Sequence, residues 1–122
     1  LDNILFTPNG KLHRYLTKEA FTNLLHPFQP FIVGQRIIGP MMAAKFNVKL
    51  VFYGENQAEY GNNVDENYTP TMDKKFFSVD DPMDIMLGGK SIRDIISETD
   101  FKLNDFKPYI PPKAEYLESK GC

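Results

Sequence analysis

Val48-Lys49-Leu50-Val51-Phe52-Tyr53-Gly54-Glu55-Asn56-Gln57-Ala58-Glu59-Tyr60-Gly61 is the stretch whose reading decides the fold. Its first six residues are nearly continuous in apolar side chains, the pattern of a strand covered on both faces in a parallel sheet. Gly54 closes the run, where a backbone without Cβ can come close to a ligand. Two carboxylates, two amides and a phenol then follow within the next residues. In open α/β sheets ligands bind beyond the carboxyl ends of the strands, so this is where a binding loop belongs. The competing reading is a polar loop that caps the sheet.

Upstream, Leu12, Leu16, Ala20 and Leu24 recur every four residues, with Phe21 and Leu25 beside them, which predicts a helix from Lys11. His26 precedes Pro27 and should end it. Pro27-Phe28-Gln29-Pro30 reads as a tight extended connection, and Pro8-Asn9-Gly10 as a turn with Gly10 at positive φ. Residues 31–46 read as a helix kinked or restarted at Pro40, with Asn47 as its left-handed stop. Helix, turn and buried strand make the αβ half of an α/β unit. A parallel strand needs parallel neighbours, however, and Ile4-Leu5-Phe6 and Phe76-Phe77-Ser78-Val79 are short. The sheet is expected to lie largely outside these residues, so the exposed strand edge predicts self-association.

Downstream, the polar residues 54–75 are too long for an idle connector. Asp80-Asp81-Pro82 should start a short helix from Met83 to Leu87, ended by Gly88-Gly89. Ser91 should cap a helix burying Ile92, Ile95 and Ile96. The Pro-rich residues 101–112 predict an irregular packed segment, and residues 113–120 a last helical turn or two.

Composition narrows the function classes. The chain has 122 residues, a net charge of −2, 42% hydrophobic and 25% charged residues, enough for one core. It lacks the basic excess of a nucleic-acid binder. No apolar run reaches membrane-span length and no secretory signal opens the chain, so a soluble cytoplasmic protein without a membrane partner is expected. The single Cys122 excludes an internal disulfide framework and a Cys-based zinc site. A chain running from Leu1 to Gly121-Cys122 reads as processed or as a piece of something longer.

Smaller motifs carry less. Leu87-Gly88-Gly89-Lys90-Ser91 resembles the end of a phosphate-binding P-loop, but Asp84 stands where the pattern needs glycine; a glycine turn followed by a serine helix cap fits better. Asn67-Tyr68-Thr69 is a chance sequon. His13 and His26 read as a helix-surface and a helix-end residue. Glu55, Glu59, Asp65 and Glu66 supply oxygens suited to magnesium, or form a solvated acidic loop.

The residues 26–31, Gly34-Gln35, Met42-Ala43-Ala44-Lys45-Phe46 and 50–61, with Leu87-Gly88-Gly89 and Pro108-Tyr109-Ile110-Pro111-Pro112, resemble the N-acetyl sugar amidotransferase family. The resemblance covers essentially the whole chain and is most specific over 50–61. It implies a PP-loop ATPase-type α/β layer with a parallel sheet, and ATP-dependent conversion of an acetamido group on a nucleotide-linked sugar to an acetamidino group. It implies a role in bacterial surface glycans, both lipopolysaccharide and flagellin sugars. The cofactors implied are ATP and Mg2+, and the partners a glutaminase and a cyclase-like subunit that supply ammonia. Glu55, Asn56 and Glu59 are the candidate catalytic residues, and Tyr53, Gly54, Gln35 and Arg36 the candidate nucleotide contacts, with Gln29 secondary. The PP-loop Ser-Gly-Gly-x-Asp-Ser and the family's cysteine pairs are absent. Residues 1–122 are therefore expected to be a single domain or an excised central to C-terminal part, inactive by itself. The competing class is a non-catalytic module whose aromatics and Pro-rich tail contact the glutaminase partner.

Overall fold

The computed structural model of the chain describes residues 2–54 and 79–121. Helix α1 spans Gly10–Leu24 and α2 spans Gln29–Phe46. A 3-10 turn at Pro82–Asp84 leads into a hairpin of β1 (Met86–Leu87) and β2 (Lys90–Ser91). Helix α3 (Ile92–Glu98), a 3-10 segment (Leu103–Tyr109) and α4 (Ala114–Ser119) complete the chain.

Helix α1 begins because the Asn9 side chain accepts from the Lys11 and Leu12 amides, which occupies donors that would otherwise lack partners. Gly10 is thus the first helical residue and not the positive-φ turn residue expected. The helix stops before Pro27 as its sequence requires, but only Leu12, Leu16 and Ala20 of its apolar spacing are fully buried. Phe21, Leu24 and Leu25 are exposed. Helix α2 starts two residues earlier than expected: Phe28 is already in the right-handed helical region, and Pro30 sits in the first turn, where a missing N–H costs nothing. It runs through Pro40 as one helix and ends at Asn47, which takes φ 56°. Asn47 thus acts as the left-handed stop.

The core joins Leu12 and Leu16 of α1 to Leu87, Ile92 and Ile95, and closes with Phe106 and Tyr109 from the 3-10 segment. At Gly34 α2 packs against that segment, where a Cβ would make ordinary contact with the Pro108 carbonyl at 3.6 Å. The expected helix over residues 83–87 is instead a 3-10 turn and a strand. Gly88 and Gly89, at φ 63° and 85°, make the two-residue connection of the hairpin, the φ pair of a type I′ turn. Ser91 Oγ then accepts from the Asp94 amide and caps α3, as expected.

The buried strand expected at residues 48–53 is not formed. These residues carry neither strand nor helix, and Leu50 and Phe52 are 66% and 87% exposed. An apolar run becomes a buried strand only where neighbours complete its ladders on both sides. Among the described residues the only ladder is the antiparallel β1–β2 pair, and the run instead folds back onto α2. The expected parallel layer has no counterpart among them.

Candidate functional site

The dipeptide Gly39-Pro40 builds the site. Pro40 has no N–H, so the carbonyl four residues earlier, that of Arg36, loses its helical donor. The Tyr53 hydroxyl donates to that carbonyl at 3.1 Å. Gly39 makes the approach possible, because a Cβ there would stand 2.8 Å from the Tyr53 hydroxyl oxygen and 3.2 Å from Val51 Cγ1. The chain reverses at Asn47, with the Val48 amide donating to the Ala43 carbonyl at 2.8 Å, and returns over α2 until Tyr53 is pinned. Water reaches this hydrogen bond, so its net worth is about 0.5 kcal/mol. Its consequence is position rather than stability.

Of the candidate residues, Tyr53 and Arg36 are brought together, through the Arg36 backbone and not its guanidinium. Gln35 and Arg36 are exposed on the same turn of α2. Gly54 is exposed, and a Cβ would meet nothing within 4 Å among the described residues. Partial burial pushes the Tyr53 phenol above its ordinary range, which keeps it a neutral donor. Glu55, Asn56 and Glu59 lie outside the described residues. Gln29 is spoken for: its amide donates to the Met86 carbonyl at 3.2 Å and accepts from the Gly88 amide at 3.0 Å. It fastens the hairpin to α2 and is no phosphate ligand.

Reasoning from sequence missed Gly39-Pro40 as a seat. The signal was present, since any proline inside a helix leaves a carbonyl that needs another donor.

The remaining polar clusters are structural. Lys90 meets Glu98 at 2.8 Å and Glu19 at 3.4 Å, tying the hairpin to α3 and α1; the Glu98 carboxylate holds it protonated. With Lys90 paired and Ser91 capping a helix, the P-loop-like string is a turn and a cap. His13 is half-buried rather than a plain surface residue, its Nδ1 2.6 Å from the Tyr109 hydroxyl. Burial pushes the Tyr109 phenol up to about 12. Among the described residues no group of three His, Cys, Asp or Glu is placed to hold a metal ion. The described residues therefore do not by themselves make a magnesium site, and Glu55, Glu59, Asp65 and Glu66 lie outside them. No helix among them is long and apolar enough to cross a membrane. In comparisons with known proteins, no family model and no curated protein matches the chain.

Proposed function

We propose that the chain is the central part of an ATP-dependent N-acetyl sugar amidotransferase of the cytoplasm, acting on a nucleotide-linked acetamido sugar for surface-glycan synthesis. The motif resemblance over residues 50–61 motivates the reading. The observation that supports it in the fold is the Gly39–Pro40 seat, which fixes Tyr53 on α2 at the entrance to the acid-amide stretch. In such a reaction ATP activates the acetamido oxygen with loss of pyrophosphate; ammonia from the glutaminase and cyclase-like partners then adds at carbon and AMP leaves. The PP-loop that would cradle ATP and any carboxylate set for Mg2+ belong outside the described residues, within the parallel layer of a larger protein. The part these residues take is positional: Tyr53 anchors the loop start, and Gln35 and Arg36 lie exposed on the adjoining turn, where Arg36 adds a cation.

The test is incubation of the full-length protein with ATP, ammonia and nucleotide-linked acetamido sugars, with AMP and pyrophosphate as products. Gly39→Ala, which dislodges Tyr53 from the Arg36 carbonyl, should lower turnover at least severalfold while leaving the helical signal intact. Absence of AMP with every acetamido sugar refutes the reading, and turnover by residues 1–122 alone refutes its fragment part.

The second reading, a non-catalytic module that docks a glutaminase partner, is favoured by the exposure of Phe28 and Phe31, which lie together at the start of α2. It predicts that Gly39→Ala leaves turnover unchanged and weakens subunit association instead.

A further inference from the structure

Helix α1 is two-sided in a way that its core role leaves unexplained. Leu12, Leu16 and Ala20 face inward and are fully buried. On the opposite side Lys11, Arg14, Lys18, Phe21 and Leu25 follow at spacings of three and four and are all exposed; helical geometry puts them in one row. The row carries cations over its first turns and apolar side chains at its end. The only acid of α1, Glu19, sits off the row with its carboxylate on Lys90 at 3.4 Å. Among the described residues none of the three cations forms an ion pair.

The apolar end continues around the corner into α2. Phe21, Leu24, Leu25, Phe28 and Phe31 are 60%, 45%, 82%, 66% and 57% exposed. No Asp or Glu occurs anywhere from residue 20 to residue 54. At the corner itself Leu25 holds φ 54°, a left-handed conformation that disfavours side chains with a Cβ and usually falls to glycine or asparagine. The backbone cost is offset where the helix closes, because this conformation lets the Leu25 and His26 amides donate to the Phe21 and Ala20 carbonyls at 3.1 and 3.3 Å; the exposure of the leucine side chain has no such return within the described fold.

We propose that this row and corner form a peripheral docking surface for an anionic lipid bilayer, independent of the amidotransferase reading. The charge pattern favours that occupant. A second copy meeting this face about a two-fold axis would bring no carboxylate to the cations, because the face itself carries none. Side chains as exposed as Leu25 and Phe28 stand out from the surface rather than line a groove, which suits a deformable apolar phase. On a bilayer the cations lie at the phosphate level, while the corner dips to the acyl boundary and tilts the C-terminal end of α1 downward. The chain lies on the membrane and does not span it.

The test is flotation of the whole chain with phosphatidylcholine vesicles and with phosphatidylcholine–phosphatidylglycerol vesicles. Binding is expected to the anionic vesicles, and to fall with salt. Each of Lys11→Ala, Arg14→Ala and Lys18→Ala should weaken it about fivefold. Leu25→Asp with Phe28→Asp should abolish it while circular dichroism stays unchanged. Phe52→Asp, equally exposed but off the corner, should have no effect. Equal binding to neutral vesicles, an equal loss with Phe52→Asp, or no binding at all would each overturn the proposal, the last in favour of an acidic protein partner. A dimer that Phe28→Asp converts to monomer would assign the corner to self-association and overturn it equally.

Discussion

Gly88→Ala probes the joint between the hairpin and α1, and its cost follows from two separate terms. The residue is buried at φ 63°, a conformation that costs an L-residue about 1–2 kcal/mol. Its new Cβ would also stand 3.0 Å from the Ala20 nitrogen, 3.0 Å from Glu19 Cβ and 3.1 Å from the Leu16 carbonyl oxygen. Two of those three atoms are helix backbone, which cannot turn aside as a side-chain end can. Overpacking of this kind costs about 1–3 kcal/mol. The sum, about 2–5 kcal/mol, is a large share of the 5–15 kcal/mol that typically separates a folded domain from its unfolded chain. Urea unfolding followed by far-ultraviolet circular dichroism measures it, with Gly10→Ala as reference. A methyl group at Gly10 would meet nothing within 4 Å, so that variant should lose nothing. A Gly88→Ala protein within about 0.5 kcal/mol of the parent would refute the packing of hairpin on helix described above.

Gln29→Ala strips the partner from the buried Gly88 amide and should destabilise by about 1–3 kcal/mol in the same assay. Leu25→Asn should stabilise by up to about 1 kcal/mol, because asparagine tolerates the left-handed corner and little burial is lost; the same variant should weaken vesicle binding. Tyr109 keeps its proton in the folded chain up to about pH 12, whereas unfolded tyrosine ionises near 10. Its contribution is whole below pH 10 and fades as pH rises toward 12, so stability should fall across that window. Tyr109→Phe should remove that part of the alkaline decline, seen as a shallower loss of melting temperature in buffered steps.

Much of the local structure was legible in residue order because its causes are local. A helix period of four, a histidine before proline and a serine three residues ahead of an aspartate act within one turn of chain. They placed α1, its end, the left-handed Asn47 and the cap of α3 without reference to anything distant. The candidate site was legible only as a string. Its anchor depends on Tyr53 reaching a carbonyl 17 residues away, and the need for that donor arises from a proline whose effect on the helix was read as a kink.

Residue order alone determined the end of α1 before Pro27, the left-handed stop at Asn47 and the serine cap of α3, since capping and backbone sterics act between near neighbours. The tertiary structure alone decided what the apolar residues face. Residues 48–53 would suit a buried strand, yet without ladder partners they lie over α2; Leu24 repeats the spacing of Leu12 and Leu16, yet it stays 45% exposed at the edge of the hairpin while those two are fully buried. The pairing of His13 with Tyr109 across 96 residues has the same origin. Burial depends on which distant segment arrives, and no periodicity within a segment specifies its partner.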